Sequence, residues 1–203
     1  MQLAEFALGP LETNSFLLHD EQRAVCIDVG GDPDEVLAYL SRNKLTLTHI
    51  LITHLHFDHV LGAASLQKAT QATLYCNHRD LPMLERQNYG GMFPPITPFS
   101  YSDLDEGPLP LPVAECSVLA TPGHSPGSLS YYFAEAGVLF DGDVLFRQSI
   151  GRTDFYEGDF RTLAESIRNK IYTLPDSTRV CPGHGPSTSV RAEKISNPFV
   201  PGL

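Results

Sequence analysis

The histidines of this chain are unevenly distributed. Three of the eight lie in the run Thr53–His59, which reads THLHFDH. A fourth, His124, lies in the run TPGHS and a fifth, His184, in the run PGHG, and each of these three runs directly follows an apolar segment. Imidazole and carboxylate groups are the usual protein ligands of zinc, iron and manganese. Since strand ends present side chains at the edge of a sheet, this clustering predicts a metal site.

The first of these runs has ligand groups for two ions. Alternate side chains of an extended segment point the same way, so His54 and His56 can face a common ion. Asp58 and His59 follow a turn and can face a second ion. The competing interpretation is a set of unrelated surface histidines with Asp58 as a helix cap. The recurrence of histidine after three apolar segments favours the metal site.

An acidic ligand is expected just beyond another apolar strand. The run Val138–Asp143 reads VLFDGD and places two aspartates, Asp141 and Asp143, on either side of a glycine. A carboxylate has two oxygens and can bridge two cations. On the residues alone, either aspartate could take that role.

The elements that must position these groups alternate between short strands and helices. Short apolar runs bounded by Gly, Pro, Asn or Asp predict strands, and apolar residues at helical spacing predict helices. Residues 88–112 are rich in glycine and proline and are expected to form a long surface excursion. The strands are expected at Leu3–Leu8, Asn14–Leu18, Arg23–Asp28, Ile50–Ile52, Thr73–Cys76, Cys116–Leu119, Ser128–Phe133, Gly137–Phe140 and Thr178–Cys181, and the helices at Pro33–Leu40, Val60–Lys68, Leu81–Gln87 and Phe160–Tyr172.

Both halves of the chain read as strands followed by a helix and a final strand. That order suits two sheets packed face to face with helices outside. No segment is poor enough in apolar residues to divide the chain, so we expect one domain over residues 1–203.

The composition excludes several classes of protein. The 203 residues carry 14 Lys and Arg against 24 Asp and Glu, a formal net charge of −10, which would repel nucleic acids and anionic membranes. No apolar run reaches the roughly 18 residues of a membrane-spanning helix. The four cysteines are scattered with no CxxC pair, and the amino terminus lacks the basic start of a secretory signal. We therefore expect a cytoplasmic protein with a small-molecule partner.

The four polar motifs together resemble the metallo-β-lactamase superfamily. They are HxHxDH at His54–His59, PGHSPGS around His124, FDGD ending at Asp143 and PGHG around His184, and they occur in the order of the family. The resemblance implies an α+β fold, the four-layer αβ/βα sandwich, in which two mixed β-sheets pack face to face with helices outside. It also implies two divalent metal ions at one edge of the sheets, with zinc expected and iron or manganese as alternatives.

The same resemblance assigns the ligands and one catalytic role. One ion takes His54, His56 and His124, the other takes Asp58, His59 and His184, and Asp143 bridges the two. Asp58 is then also the catalytic residue that orients the nucleophile.

Within the superfamily, the chain looks most like the short form of glyoxalase II. That similarity is carried by TPGHSPGS, LFDGDVLF, the segment Gly151–Phe155 and the ending Asn197–Phe199. It implies hydrolysis of S-2-hydroxyacylglutathione thioesters, such as S-lactoylglutathione, by a metal-bound hydroxide. Longer glyoxalase II enzymes append a helical segment with cationic glutathione contacts, whereas this chain stops at Leu203. We therefore expect modest affinity for the glutathione half, with Arg152 as the candidate substrate contact.

Other functions of the superfamily remain open at this stage. The segment GRTDF is also similar to sulfur dioxygenases, which oxidise glutathione persulfide at one iron held by two histidines and an aspartate. A lactonase or another ester hydrolase would use the same hydroxide. His184 would complete a second metal site, and this favours hydrolysis. Arg152 could also pair with Asp154 instead of a substrate carboxylate.

Overall fold

The chain forms two units, each built around its own sheet. The computed structural model describes residues 1–86, 95–155 and 157–202. The amino-terminal unit comprises Met1–Leu104 with Leu111–Val113, and the carboxy-terminal unit comprises Asp105–Pro110 with Ala114–Leu203. The expectation of one domain over residues 1–203 stays a prediction.

The amino-terminal unit contains a six-stranded mixed sheet. Its strands are β1 Gln2–Leu8, β2 Thr13–His19, β3 Arg23–Ile27, β4 Thr46–Leu51, β5 Thr73–Cys76 and β6 Ser102–Asp103. They are hydrogen-bonded in the order β1-β2-β3-β4-β5-β6. The pairs β1–β2 and β2–β3 are antiparallel, and the pairs from β3 to β6 are parallel.

Helices connect the parallel strands of this unit, because parallel neighbours require crossover connections. Val36 and Leu40 of the first helix pack with Leu66 of the third and with Ile50 of β4 in one apolar cluster. Burial of each such side chain contributes about 1.5–3 kcal/mol. Because β3 and β4 are parallel neighbours, their carboxyl ends lie side by side. The helices are α1 Asp34–Asn43, α2 Phe57–Val60, α3 Ala63–Thr70 and α4 Leu81–Arg86, with a 3-10 turn at His78–Asp80.

The carboxy-terminal unit contains a second six-stranded mixed sheet and a separate hairpin. The strands are β7 Gly107–Pro110, β8 Glu115–Ala120, β9 Leu129–Phe133, β10 Val138–Gly142, β11 Leu145–Phe146, β12 Ser149–Ile150, β13 Arg179–Pro182 and β14 Thr188–Ser189. The sheet order is β14-β13-β10-β9-β8-β7, and β11 pairs with β12. Only the β10–β13 pairing is parallel among the described strands of this sheet.

Two helices cover this second sheet. α5 (Phe160–Asn169) buries Leu163 and Ile167 against Leu139 of β10 and Val180 of β13. Asp159 caps α5, since its side chain accepts a hydrogen bond from the Thr162 backbone N–H at 2.7 Å. The second helix, α6 (Val190–Ser196), follows β14 directly.

The sequence predicts nine of the fourteen described strands, and several boundaries differ. The strands that were not predicted are the short ones β6, β7, β11, β12 and β14. The predicted helix Val60–Lys68 is interrupted at residues 61–62, so that α2 and α3 stand in place of one helix. The Gly62 backbone N–H donates to the Val29 carbonyl at 3.0 Å, outside the helix, and a Cβ at Gly62 would lie 1.8 Å from the Gly31 carbonyl oxygen, so only glycine fits this contact.

Two further expectations also need correction. The helix predicted over Phe160–Tyr172 is shorter, because α5 ends at Asn169 and a separate 3-10 turn follows at Ile171–Thr173. The expected excursion over residues 88–112 contains β6 and β7, and its residues 88–94 lie outside the described residues, as does Gln87 of the predicted helix Leu81–Gln87.

The helices of the described part of the chain are short. None of them combines the length and the apolar character needed to cross a membrane.

Candidate metal centre

The amino-terminal unit buries two histidines next to each other just beyond β4. His54 Nε2 lies 2.9 Å from His56 Nδ1, and both side chains are buried. The Thr53 hydroxyl donates to Asp28 Oδ2 at 2.7 Å, so it can only accept a hydrogen bond from His54 Nδ1, which lies 3.1 Å away. The Nδ1 atom of His54 therefore carries the proton, and the Nε2 atom keeps a lone pair for a metal.

Asp28 anchors both ends of the THLHFDH run. Its Oδ1 accepts the Thr53 backbone N–H at 2.7 Å, and its Oδ2 lies 2.8 Å from His59 Nδ1. Asp28 itself is buried and has a left-handed backbone with φ +54°. The hydrogen bond from Nδ1 leaves the lone pair of a neutral His59 on Nε2, as in metal-ligating histidines that donate to a carboxylate. Asp28 is not among the residues predicted from the sequence, although an aspartate that ends an apolar strand two residues before Gly30 is a readable signal.

A second acid of this unit, Asp58, faces His59. Asp58 Oδ2 accepts a hydrogen bond from the Thr13 hydroxyl at 3.0 Å and lies 3.6 Å from His59 Nε2. A separation of 3.6 Å is too long for a hydrogen bond. An unprotonated imidazole nitrogen and a carboxylate oxygen repel each other, and a cation between them removes that repulsion. The geometry of the pair therefore fits a shared metal ion.

A third carboxylate fixes the backbone between His54 and His56. Asp80 Oδ2 accepts the Leu55 backbone N–H at 3.1 Å, and Asp80 is buried at the end of the 3-10 turn after β5. The hydrogen bond holds the residue that separates His54 from His56. This contact was not predicted, since residues 25 positions apart in the chain carry no local signal.

The carboxy-terminal unit places one carboxylate oxygen between two imidazoles. Asp143 Oδ2 lies 3.6 Å from His124 Nε2 and 3.7 Å from His184 Nε2. Ligand atoms at the usual zinc distance of about 2.0–2.1 Å lie about 3.3 Å apart in a tetrahedral site. Both separations exceed a hydrogen bond and come close to that spacing. Asp143 is thus the aspartate of the FDGD run that faces the two imidazoles.

The backbone of one segment sets the orientation of His124. The Arg152 carbonyl oxygen lies 2.7 Å from His124 Nδ1 and can only accept, so Nδ1 carries the proton and Nε2 faces Asp143 with its lone pair. A Cβ at Gly151 would lie 1.9 Å from the Asp143 carbonyl oxygen and 3.2 Å from His124 Nδ1. Glycine is therefore required at position 151 for the segment to touch both ligands.

The second aspartate of the FDGD run belongs to the turn. Asp141 is almost completely buried, and its Oδ2 accepts the Leu145 backbone N–H at 2.9 Å. Burial raises the pKa of Asp141 well above its usual range. The carboxyl group thus closes the loop that carries Asp143 and does not face the histidines of this unit as Asp143 does.

Comparison with known proteins identifies the family. A profile of the Metallo-beta-lactamase superfamily matches residues 8–184. The probable metallo-hydrolase YqgX of Bacillus subtilis is 35% identical over 209 residues, which cover 100% of this chain and 99% of YqgX. The hydroxyacylglutathione hydrolase GloC of Haemophilus influenzae is 35% identical over 195 residues, which cover 92% of this chain and 91% of GloC. The chain belongs to the metallo-β-lactamase superfamily.

Solved structures of the superfamily confirm the fold class. The crystal structure of the B3 metallo-β-lactamase BLEG-1 matches with a TM-score of 0.90 at 38% identity, over 98% of this chain and 99% of that chain. TTHA1623, solved in a di-iron-bound form, matches with a TM-score of 0.87 at 38% identity, over 97% of this chain and 99% of that chain. The predicted metallo-β-lactamase sandwich of sheets and helices is confirmed. The chain is a metal-dependent hydrolase of this superfamily.

The remaining predicted site residue of this metallo-β-lactamase chain is paired on the surface. Arg152 makes two hydrogen bonds to Asp154, at 2.9 and 2.8 Å, and its guanidinium lies 4.3 Å from the centroid of the Phe155 ring. The hydrogen bonds from Arg152 lower the pKa of Asp154. The positive charge of Arg152 is therefore already partly neutralised by Asp154. The substrate contact predicted for Arg152 stays a prediction.

The four cysteines of this chain are poorly suited to act as nucleophiles. All four are buried, and none of them forms a disulfide. Burial raises the pKa of the Cys76 and Cys116 thiols to about 12, so both are protonated at neutral pH. Water is therefore a more suitable nucleophile for this chain than a thiolate.

Proposed function

We propose that this chain hydrolyses thioesters of the S-2-hydroxyacylglutathione type, with S-lactoylglutathione as the reference substrate. The observation that carries the proposal is the placement of Asp143 Oδ2 between two imidazole nitrogens. The name of GloC, a hydroxyacylglutathione hydrolase of similar length, supports the choice of substrate.

The proposal includes a centre of two divalent ions, with zinc expected and iron or manganese as alternatives. The di-iron form of TTHA1623 supports a pair of ions in this fold. One ion would be held by His54, His56 and His124, the other by Asp58, His59 and His184, and Asp143 would bridge them.

The protein groups have distinct tasks in this reaction. Two divalent cations held there would supply a polarised carbonyl and a coordinated water whose pKa is lowered from about 15.7 to near 7. Asp58, fixed by the Thr13 hydroxyl, would orient the attacking water through a hydrogen bond. A thiolate is a weak base and leaves without prior protonation. The site therefore needs no separate general acid.

The same observation argues for hydrolysis over persulfide oxidation at a single iron. A mononuclear oxygenase site holds one iron by two histidines and one carboxylate and leaves positions open for oxygen. In this chain a second imidazole, that of His184, faces the same Asp143 oxygen as His124. An oxygen atom shared in this way suits a bridge between two ions.

The proposed partner is a small-molecule thioester in the cytoplasm. The net charge of −10 repels nucleic acids and anionic membranes. We propose that Arg152 contributes a weak contact to a substrate carboxylate, because its guanidinium is shared with Asp154.

Metal analysis combined with a substrate panel tests the proposal. The purified protein is expected to bind two ions per chain and to hydrolyse S-D-lactoylglutathione faster than simple esters or lactones, without oxygen consumption. His78→Asn is the control variant, because His78 is an exposed histidine that pairs with Asp103 on the surface. This variant should keep both ions and the activity. Oxygen uptake with glutathione persulfide and a single bound iron would contradict the proposal.

A further inference from the structure

The carboxy-terminal helix α6 carries a buried acid that the reaction does not use. Glu193 is 1% exposed and accepts three hydrogen bonds. They come from the Thr188 hydroxyl at 2.6 Å, the Gln148 backbone N–H at 2.9 Å and the Asn197 side-chain amide at 2.9 Å. All three donors are uncharged. A buried carboxylate costs free energy unless its oxygens are satisfied, so this arrangement calls for a structural or functional reason.

The contact to Gln148 supports a strained backbone. Gln148 lies in the two-residue turn of the β11–β12 hairpin, between the paired residues Phe146 and Ser149, and has φ +55°. A side chain is disfavoured at this φ, which glycine adopts without strain. Asn197 adds a second tether to the same turn, because its amide donates to the Ser149 carbonyl at 3.0 Å. Helix α6 therefore holds the hairpin at two neighbouring residues.

The hairpin in turn adjoins the segments that carry and orient two predicted metal ligands. Its first strand begins two residues after Asp143, and its second strand leads directly into Gly151. The Gly151 N–H donates to the Val144 carbonyl at 3.2 Å, and the next carbonyl, that of Arg152, orients His124. A displacement of the hairpin would move both His124 and the loop of Asp143.

Glu193 also reaches the segment that follows the third ligand of this unit. Thr188, which donates to Glu193, begins β14 and pairs with Val180 of β13. β13 ends at Pro182, two residues before His184. The Glu193 carboxylate thus forms hydrogen bonds to the β11–β12 hairpin, to β14 and to Asn197 just after α6.

We infer that Glu193 is a positioning residue for the carboxy-terminal half of the metal centre, and that it acts by holding Gln148 in its left-handed conformation. The inference rests on the proposed function for the role of the ligands. It assigns helix α6 to the support of His124 and Asp143.

The experiment compares Glu193→Gln with Ser189→Ala. Ser189 caps the same helix through the Ala192 N–H at 3.2 Å, so its loss weakens α6 without removing a contact to the hairpin. In Glu193→Gln we expect at least tenfold faster hydrogen exchange of the Gln148 amide in metal-free protein, and loss of the slowly exchanging His124 Nδ1–H signal. The affinity of the more weakly bound ion should fall about 10- to 100-fold. Ser189→Ala should change each of these by less than about twofold.

A glycine rescue separates positioning from general stabilisation. The double variant with Glu193→Gln and Gln148→Gly should recover most of the lost metal affinity, because glycine needs no support at φ +55°. If Glu193→Gln does not fold, Asn197→Ala carries the test, since it removes the tether to Ser149 and should weaken metal binding in the same direction. Equal losses in Glu193→Gln and Ser189→Ala, or no glycine rescue, would overturn the inference.

The two readouts also separate this inference from the proposed function. Hydrogen exchange and the His124 signal are measured without metal. A wild-type protein that binds no metal pair would defeat the proposed function and leave the measured positioning effect intact. Unchanged Gln148 exchange in Glu193→Gln, with normal metal binding in the wild type, would defeat the inference alone.

Discussion

The two units hold their metal-ligand residues by different means. In the amino-terminal unit the four predicted ligands lie in one run, His54–His59, and carboxylates orient it: Asp28 binds Thr53 and His59, and Asp80 binds Leu55. In the carboxy-terminal unit the three ligands come from turns up to 60 residues apart in the chain. There the main chain orients a ligand, through the Arg152 carbonyl and the close approach of Gly151.

The difference determines which substitutions can disturb the predicted metal ligands of each unit. A carboxylate that orients a ligand is removed by changing one side chain. A carbonyl that orients a ligand stays in place when its side chain is changed, and moves only when the backbone moves. In the amino-terminal unit, we therefore expect substitutions of Asp28 and Asp80 to weaken metal binding. In the carboxy-terminal unit, we expect this of substitutions at Gly151 and at the residues that support the β11–β12 hairpin.

The largest expected effect is that of Asp143→Asn, which removes the charge that faces two imidazoles. We expect metal content to fall from two ions to one and turnover to fall by more than about 100-fold, beyond the range for residues that only support a ligand. Metal analysis and steady-state kinetics check this. Asp141→Asn is the control, because Asp141 binds Leu145 and should affect metal content far less. The reverse order of the two effects would place the bridge at Asp141.

Metal removal should destabilise both units through the same physical cause. Without a cation, each unit brings a carboxylate oxygen to 3.6 Å from an imidazole lone pair, at His59 and at His124. Metal present at 1,000 times its dissociation constant stabilises the folded chain by about 4 kcal/mol. Chelation should lower the melting temperature accordingly in scanning calorimetry, and an identical melting temperature with and without chelator would contradict the metal linkage.

Asp28→Asn should be the most damaging change to a support of the amino-terminal half. An asparagine cannot accept hydrogen bonds on both sides, so at least one of the Thr53 and His59 contacts is lost in a buried site. We expect about 2–3 kcal/mol lower free energy of unfolding and about tenfold weaker metal binding. Urea denaturation and chelator competition measure the two quantities. Wild-type metal affinity in this variant would show that carboxylate anchoring is unimportant.

Gly151→Ala should be the matching change in the carboxy-terminal half. The added methyl group would meet the Asp143 carbonyl oxygen at 1.9 Å, so the backbone must shift, at a cost of about 1–3 kcal/mol. Metal affinity should fall as well, since the same segment orients His124. Gly137→Ala is the control: it has φ +61° but open space around its Cβ, so it should lower stability and leave metal affinity unchanged.

The smallest effect is expected for Arg152→Ala. The carbonyl that orients His124 remains, so metal content and kcat should stay near wild type. KM for a glutathione thioester should rise several-fold if the guanidinium contacts substrate, because loss of uniform binding raises KM alone. A large loss of metal in Arg152→Ala would contradict main-chain anchoring of His124.

The candidate ligands could be proposed from the sequence because ligand chemistry is local in this chain. Histidine and aspartate follow apolar strands in short motifs, and strand ends lie at sheet edges by the geometry of the sheet. Most strands around them were predicted within about two residues, since alternation and turn residues are local signals as well, but β4 begins four residues before the predicted Ile50–Ile52. The interruption of the helix over residues 60–68 was not predicted, because it accompanies a hydrogen bond from Gly62 to Val29 that no local pattern encodes.

The amino-acid sequence by itself determined the residue types, their order and the family to which they belong. Only the tertiary structure decided which aspartate of the FDGD run faces imidazoles, and which groups orient the histidines. These supports are contacts between residues 25, 28 or 31 positions apart, at Asp80, Arg152 and Asp28. Hydrogen bonds of this kind depend on distance in space, so they exist only after the strands and turns that bear them have packed.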